Sequence, residues 1–567
     1  MKYIHKLILV LALGFGFSCE NMNLDLQDNP NAITPESASL NDLYNAVSGQ
    51  FMQVFLAAEN MPGQAARMYH AAGYSYPDFT TPESLNGLWN TYYAGFAPDA
   101  DALLSITDEK GFDVHGGTAR IMQGYAMMML VDVFGNVPNS QSNQGTDIIA
   151  PASDPGADVY AAAIALIDQG IAQLEATDAA APAYDNYYGG DTDQWIKLGN
   201  SVKLRAALNT GDAGTINSLV SGGNIITDAA DDFAFSWGNQ RNNPNSRNPY
   251  YYNHYEIGDG DYLSNYYMWL LRAEKVDAND IPVVDPRIRY YFYRKIEDGD
   301  ERDITEYSCH FSEFPVQTAK PAHWDAVDPR IPYCIPSGDG YFGRDHLNGE
   351  GIPPDGPVRS SYGLYPFGGD FDDNSFDDTR EGGTRGGLGQ GISPIMLSSF
   401  VDFMRAEAAL SLGTNDDAEA LLESGIRKSM AKVFSFESLV SSKMGTTVTL
   451  RDGSSGTIKD LYGSTDADVD DYVDFVIGEF QAANAAERLD IVVKEYYIAA
   501  WGNGLEAYNM YRRTGSPSNM QPSLEPNPES FPYSFFLPAQ HVTRNGNVSQ
   551  KELSERVFWN TGGPELW

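Results

Sequence analysis

The feature that most limits the possible folds is an alternation between helix-forming and irregular sequence. Apolar residues recur with a helical period in six stretches, namely 119–134, 158–176, 193–209, 395–413, 415–430 and 486–513. Between these blocks, residues 230–392 are rich in Gly, Pro, Asn, Asp and Tyr and have little periodicity. Because a structureless loop of that length is implausible inside a compact domain, we predict an irregular lobe built on a helical scaffold.

Two of these stretches, 395–413 and 415–430, form the clearest pair of helices. Gly413 is expected to end the first helix and Asn415 to cap the second, because glycine and asparagine favour those positions. The pair has the length and the small-residue pattern of a tetratricopeptide-like hairpin. A break is predicted near Gly502 in the last helical stretch. The pattern therefore indicates a mostly α protein with a large core, which the 42% of hydrophobic residues can supply.

The pattern at the N-terminus predicts a secretion signal. Lys2 and Lys6 precede an apolar run that ends at Ser18, and Cys19 follows at once. The run is too short for a good membrane span but suits the apolar region of a signal peptide. It is typical of either an ordinary signal peptide cleaved nearby or a lipoprotein signal cut before Cys19. We predict the second, with residues 1–18 removed and acyl chains on Cys19 holding the protein on a membrane.

The two other cysteines, Cys309 and Cys334, form an even pair in a chain bound for an oxidising compartment. A disulfide between them would stabilise the fold by roughly 3 kcal/mol. The alternative is two free, buried thiols. We predict the disulfide.

The chain is strongly acidic, with 37 Lys and Arg against 77 Asp and Glu and a formal net charge of −40. Phosphate backbones would repel such a chain, so nucleic acid is excluded as a favoured partner. The acidic run that includes Asp370, Asp372 and Asp373 could hold a structural calcium ion, or it could be a solvated loop. No other cofactor is expected.

Sugar sites combine aromatic planes with amide, carboxylate and guanidinium groups that hydrogen-bond to hydroxyls. Three places in the sequence offer this combination. The candidate ligand-binding residues are Trp237, Asn239 and Arg241 in one stretch, Trp89 and Asn90 in another, and Trp324 in a third. The alternative for each ring is a place in the core, since aromatic side chains dominate cores as well as interfaces.

Catalytic motifs are missing from the sequence: there is no G-x-S-x-G, H-E-x-x-H or P-loop pattern. We therefore predict a binding protein and not an enzyme. Asp and Glu pairs abound, so a glycoside hydrolase stays an alternative of a different class.

Several sequence blocks together resemble the SusD/RagB family of nutrient-binding outer-membrane lipoproteins of Bacteroidetes, and the SusD-like 2 subgroup in particular. The blocks, in family order, are VDVFGNVPNS (131–140), YYGGDTDQWIKLGNSVKLRAAL (187–208), residues 341–373, FVDFMRAEAALSLG (400–413), FPYSFFLPAQHVTRNGNVSQ (531–550) and VFWN (557–560). They are spread over nearly the whole chain, behind a candidate lipidated cysteine.

The resemblance implies four tetratricopeptide-like helix pairs that support a loop-rich lobe. It also implies a lid on a TonB-dependent, SusC-like barrel that captures oligosaccharides or, in a RagAB-type importer, peptides. The protein would then be anchored by its lipid in the outer membrane and face the cell exterior. The family has no shared ligand-binding motif, so it assigns no site residue here.

Taken together, we expect one SusD-like domain over residues 19–567 behind the signal peptide. The expected parts are a helical scaffold over about 40–229 and 393–515, a loop-rich lobe over about 230–392 and a C-terminal segment over 516–567.

Overall fold

A computed structural model of the protein describes residues 39–258, 260–297, 320–333, 339–349, 359–377 and 382–567. Cys19, Cys309 and Cys334 lie outside the described residues, so the lipidation and the disulfide stay predictions.

The first part of the chain is helical. Its helices are α1 (Leu40–Ala65), α2 (Tyr76–Phe79), α3 (Asn86–Asn90), α4 (Ala97–Lys110), α5 (Asp113–Phe134), α6 (Gly156–Glu175), α7 (Thr192–Thr210) and α8 (Ala213–Gly222), with a π-helical stretch at Thr91–Phe96 and a 3₁₀ turn at Ala229–Asp231. The three helices predicted over 119–134, 158–176 and 193–209 are confirmed as α5, α6 and α7.

Helix α5 is the centre of this part, since its side chains from Val114 to Phe134 are all buried. It packs most closely on α6, where glycines let the backbones approach. A Cβ atom on Gly124 would lie 2.7 Å from the carbonyl oxygen of Ala163, so no larger residue fits there. The small residues in the sequence therefore serve the contact between the two helices of a pair.

The middle of the chain has short elements joined by long irregular segments. They are β1 (Phe233–Ser236), α9 (Pro249–Tyr255), α10 (Asn265–Arg272), α11 (Ile288–Tyr291), β2 (Phe292–Tyr293), a 3₁₀ turn (Ala322–Ala326), β3 (Ser361–Tyr362) and β4 (Ile392–Met396). Strand β1 pairs with β4, and β2 pairs with β3, both antiparallel.

The remaining elements return to helices. They are α12 (Ser398–Ser411), α13 (Ala418–Phe434), a 3₁₀ turn (Ser435–Val440), α14 (Ser441–Met444), β5 (Thr447–Thr449), β6 (Ser455–Thr457), α15 (Ile458–Tyr462), α16 (Asp466–Ala482), α17 (Ala485–Ala499), α18 (Gly504–Thr514), α19 (Ala539–Arg544) and a 3₁₀ turn (Phe558–Asn560). Strands β5 and β6 form an antiparallel pair. None of the described helices has the length and apolarity that a bilayer span requires.

The boundaries of this second helical part test three predictions. Gly413 follows α12 with a φ of 69°, as expected of a glycine after a helix. The predicted cap Asn415 is wrong: the Asp417 carboxylate accepts hydrogen bonds from the backbone N–H groups of Glu419 and Ala420 and so begins α13. The break near Gly502 is confirmed, because α17 ends at Ala499 and α18 begins at Gly504.

A cluster of aromatic rings joins the middle segment to the helical parts, and we call it the buried cluster. Its centre is Trp501, which is 0% exposed. The ring centroids of the other members lie 4.7–5.9 Å from that of Trp501, and these members are Tyr69, Tyr267, Tyr291, Phe292, Tyr362 and Phe367. Tyr69 follows α1, whereas the other five belong to the middle segment, so their packing fixes the irregular lobe on the scaffold.

A buried carboxylate, Asp132 in α5, joins three of the sequence blocks on which the resemblance rests. Arg205 of α7 donates to its Oδ2 at 2.7 Å, and the Trp559 indole donates to its Oδ1 at 3.0 Å. Asn509 and Tyr160 donate to it as well. A buried charge with four donors is well satisfied, so these blocks specify the scaffold and not a ligand site.

Candidate functional site

Strand β1 carries aromatic side chains from the core to the surface. Phe233, Phe235 and Trp237 alternate with Ala234 and Ser236, and side chains two apart in a strand share one face. The pairing with the β4 side continues past the strand, since the Trp237 N–H donates to the Gly391 carbonyl at 2.8 Å. Phe233 is fully buried, whereas Phe235 and Trp237 are half-buried.

Tyr187 extends this row of rings, and we call Tyr187, Phe235 and Trp237 the aromatic strip. The centroids of Tyr187 and Phe235 are 5.9 Å apart, and those of Phe235 and Trp237 are 4.9 Å apart. All three rings are half-buried and pack on the core from its edge. Part of each of these three aromatic residues is therefore accessible to solvent.

Hydrogen bonds fix the two ends of the strip. The Trp237 indole N–H donates to the Ser393 hydroxyl at 3.0 Å. The Tyr187 hydroxyl donates to the Ser48 carbonyl oxygen in α1 at 3.1 Å. Both rings are thus held in one orientation before any ligand arrives, which lowers the entropic cost of binding.

Exposed amides flank the strip on both sides. Asn239 is exposed, and its amide donates to the Gln390 side chain at 3.4 Å. At the other end, the exposed Asn186 donates to Asn45 at 3.1 Å and to the Ser48 hydroxyl at 3.3 Å. Each of these exposed amides retains hydrogen-bonding capacity that a hydroxyl-rich ligand could use.

Arg241 is a third polar group near the strip in sequence. Its side chain is 51% exposed, and its Nε–H donates to Glu256 at 2.7 Å. Glu256 also accepts from Arg247. Burial opposes ionisation of Glu256, but the hydrogen bonds from Arg247 and Arg241 prevail and lower its pKa. Arg241 is therefore held by one edge, while the rest of its guanidinium group faces outward.

The structure corrects two of the three aromatic predictions. Trp89 is only 7% exposed and is enclosed by Phe134 and His541, at centroid distances of 5.5 and 4.3 Å. Its neighbour Asn90 is exposed but accepts a hydrogen bond from Gln540 at 2.7 Å. Because the Trp89 ring is enclosed, Asn90 does not combine with it to form an exposed pair of ring and amide.

Trp324 is fully buried, and its indole N–H donates to the Ser523 carbonyl oxygen at 2.9 Å. A ring without an exposed face cannot stack on a sugar, so Trp89 and Trp324 are core residues. Of the predicted platforms, Trp237 alone remains half-exposed.

The acidic run is also corrected, because its carboxylates face cations of the protein itself. Asp372 is buried and pairs with Arg294 at 2.6 Å. Lys443 pairs with both Asp370, at 2.7 Å, and Asp373, at 3.2 Å. Within the described ranges, no group of three or more His, Cys, Asp or Glu side chains is arranged to hold a metal ion. Each of these three carboxylates thus has a cationic partner within the protein.

Asp370, Asp373 and Lys443 border an open cleft of about 810 Å³ between the lobe and the scaffold. Its lining is polar and aliphatic, with hydroxyl groups from Ser441 and Ser442. The cleft suits polar ligands in general, but it lacks the stacking surface that the aromatic strip offers.

Sequence reasoning missed Tyr187, Phe235, Asn186 and Gln390. The alternation F-A-F-S-W at 233–237 was a usable signal, because period-2 aromatic residues indicate one face of a strand. Tyr187 and Gln390 carried no such signal, since they reach the strip only through the tertiary fold.

Two family models match the chain. Residues 30–328 match a SusD-like model described as starch-binding and associating with the outer membrane. Residues 392–536 match a second model, described as SusD and RagB outer-membrane lipoprotein. The first match alone covers more than half of the chain.

Solved structures resemble this fold over almost its full length. A SusD/RagB family protein from Bacteroides thetaiotaomicron has 21% identity and a TM-score of 0.62, covering 93% of this chain and 100% of its own. A SusD homologue from Bacteroides fragilis has 15% identity and a TM-score of 0.61, with 91% and 99% covered. A chitin-binding protein has 16% identity and a TM-score of 0.60, with the same coverage.

At these identities the likeness shows the fold, and the predicted mostly α, SusD-like class is confirmed. None of the curated protein sequences matches this chain.

Proposed function

The chain belongs to the SusD/RagB family of nutrient-binding outer-membrane lipoproteins, and on that premise we propose that it captures oligosaccharides at the aromatic strip and passes them to a TonB-dependent, SusC-like transporter. The observation that carries the proposal is the strip itself: three half-buried rings in a row, fixed by hydrogen bonds and flanked by exposed amides.

The chemistry of sugars matches this arrangement. A pyranose ring has an apolar face of C–H groups, which packs on an aromatic plane, and a rim of hydroxyls, which bond to amides. The strip provides the planes at Phe235 and Trp237, and Asn239 and Asn186 provide amides at its ends. A row of rings, as opposed to one, favours a ligand of several sugar units.

One structural neighbour, a chitin-binding protein, supports a carbohydrate ligand. The match to a family model described as starch-binding supports the same class.

We extend the proposal to membrane attachment and to the partner. Acyl chains on Cys19 would hold the protein at the outer membrane, where it would act as a lid on the transporter barrel. Replacing Cys19 with Ala should release the protein from the membrane fraction under mild salt washing. Retention of that variant in the membrane would contradict the anchor.

Binding to an array of glycans, followed by titration calorimetry, tests the site. Trp237→Ala should weaken binding of the selected glycan about ten- to a hundredfold, because loss of a desolvated aromatic contact costs roughly 1–3 kcal/mol. Tyr74→Ala is the matched control, since Tyr74 is also exposed, at 46%, but lies outside the strip. Unchanged affinity in Trp237→Ala, together with an unchanged melting temperature, would remove the strip from the site.

Two further measurements on the same protein samples distinguish the alternative functions, a glycoside hydrolase and a peptide-binding lid. Release of new reducing ends from the glycan would indicate a hydrolase. Selective binding of peptides by the unmodified protein, with no glycan bound, would favour a RagAB-type peptide lid.

A further inference from the structure

An open groove of about 670 Å³ lies where the segment between α10 and α11 meets the start of α16, and we call it the α16 groove. Apolar residues line both of its sides, namely Val283, Val284, Pro286, Ile288, Leu461, Tyr462 and Phe475. Tyr462 and Phe475 are half-buried, and Val284 is 39% exposed. The groove shares no lining residue with the aromatic strip and is therefore a separate surface.

Hydrogen bonds hold the exposed apolar residues beside the groove in place. The Asp277 N–H donates to the Ile281 carbonyl oxygen at 2.8 Å, and the Val283 N–H donates to the Lys275 carbonyl oxygen at 2.9 Å. The Asp277 carboxylate also accepts from the Ile281 N–H at 2.8 Å. This turn presents Ile281, which is 59% exposed, three residues before Val284. Large apolar side chains that stay exposed around a groove are typical of an interaction surface.

Among the residues that line the groove, all of which belong to the described chain, Arg289 alone is basic. Its guanidinium carbon lies 5.1 Å from the centroid of the Tyr462 ring. Its Nη1 donates to the Asp372 carbonyl oxygen at 2.9 Å and to the Asn374 side chain at 2.8 Å. Arg289 is thus engaged within the protein, where it supports the Tyr462 wall.

Three exposed carboxylates, those of Asp460, Asp468 and Asp471, line the same groove. Asp460 accepts from the Thr457 hydroxyl at 2.6 Å, and Asp468 accepts from the Thr465 hydroxyl at 2.6 Å. Within the described ranges, none of the three carboxylates forms an ion pair with a basic side chain. The groove is therefore apolar at its walls and negative at its rim.

Helix α16 extends this negative surface beyond the groove. It has six acidic side chains and no Lys or Arg, and the six are Asp466, Asp468, Asp470, Asp471, Asp474 and Glu479. Of these, Asp470 pairs with Arg427 at 2.6 Å. A second copy of this chain, with its formal net charge of −40, would be repelled from such a surface. Charge complementarity therefore favours a basic partner.

We propose that the α16 groove is a docking site for a basic segment of a partner protein. The segment inserts apolar side chains between Val284 and Phe475 and places Lys or Arg side chains beside Asp468 and Asp471. Lysine and arginine suit this position, because their aliphatic stems pack on an apolar wall while their charged ends reach the rim. An apolar centre with a polar rim is the usual arrangement of a protein interface. The proposal does not depend on glycan capture at the strip.

The test uses the full chain and a fluorescent synthetic peptide, KLFKKLFK, as the probe. Of two control peptides, KSSKKSSK has the same charge without apolar side chains, and ELFEELFE has the same apolar side chains with the charge reversed. Fluorescence anisotropy gives the affinity of each peptide. We expect KLFKKLFK to bind about tenfold more tightly than either control, because docking needs both the apolar contact and the charge. Absence of binding by KLFKKLFK, or equal binding of KSSKKSSK, overturns the proposal.

Matched variants separate docking at the groove from general attraction to an acidic chain. Asp471→Lys should weaken binding of KLFKKLFK about fivefold, whereas Glu109→Lys should change it less than about twofold, because Glu109 is an exposed acid of α4 outside the groove. Val284→Ser should weaken binding about threefold, and Ile257→Ser should leave it unchanged, because Ile257 is 62% exposed but does not line the groove. Equal losses in Asp471→Lys and Glu109→Lys overturn the proposal. So does a dimer, measured by light scattering, that Val284→Ser dissociates, since a second copy then occupies the groove.

Discussion

The aromatic strip and the buried cluster around Trp501 contain similar side chains but are covered to different extents. Rings in the cluster lie between the lobe and the scaffold and are buried, whereas the three rings of the strip lie beside β1 and are half-buried. The same residue type therefore stabilises the fold in one region and is available to a ligand in the other. Coverage by other elements, and not the ring itself, makes the difference.

Replacement of Trp501 with Ala should give the largest effect on stability. The substitution leaves a cavity among six rings and should lower the free energy of unfolding by roughly 3–5 kcal/mol. Denaturant titration of this variant, beside Trp237→Ala from the strip, measures the contrast. A loss of stability in Trp237→Ala as large as that in Trp501→Ala would end the distinction between the two regions.

Ionisation of Glu59 in α1, which contacts the buried cluster, is expected to make the stability of the fold depend on pH. The fully buried Glu59 carboxylate accepts hydrogen bonds from Tyr69 at 3.0 Å, from the Gly504 N–H at 3.1 Å and from Tyr250. Burial raises the pKa of Glu59 from 4.5 to about 7, although the three hydrogen bonds oppose this shift. The carboxyl group is thus easier to ionise in the unfolded chain than in the folded one.

The sign of the effect on stability follows from that difference. Below pH 4.5 the group is protonated in both states and carries no penalty, and between pH 4.5 and 7 the unfolded chain ionises first. The free energy of unfolding should therefore fall by about 3 kcal/mol over this range because of Glu59 alone. Unfolding of the unmodified protein and of Glu59→Gln at pH 5, 6, 7 and 8 isolates this term, since other groups titrate equally in both.

The advantage of Glu59→Gln should grow with pH up to about 7 and then stay constant. Glu565→Gln is the control, because the Glu565 side chain is 91% exposed. A difference between Glu59→Gln and the unmodified protein that does not change with pH would show that the folded carboxyl group titrates normally.

Helices with one buried face were predictable from the sequence, as α6 and α7 show, because burial of one face leaves a local pattern. The exposure of a single aromatic ring was not predictable from the sequence, because it depends on residues that are distant along the chain. Trp89 is enclosed by His541, 452 positions further along the chain, and nothing near Trp89 in the sequence announces that contact. The chemistry of Asp370 was hidden for the same reason, since its partner Lys443 belongs to the other side of the cleft.

The smallest expected effect concerns Arg241, whose half-exposed side chain pairs with Glu256. An ion pair with one exposed partner contributes little to stability, and Glu256 keeps its second partner Arg247, so Arg241→Ala should change the free energy of unfolding by less than about 1 kcal/mol. If its outward guanidinium nitrogens bond to a sugar hydroxyl, the variant should weaken glycan binding about threefold to tenfold, and Arg241→Lys should recover part of that loss. Calorimetry with the glycan identified for the unmodified protein measures the affinity of both variants. Equal affinities for Arg241→Ala and the unmodified protein would restrict the site to the rings and the amides, because Arg241 would then hold only Glu256.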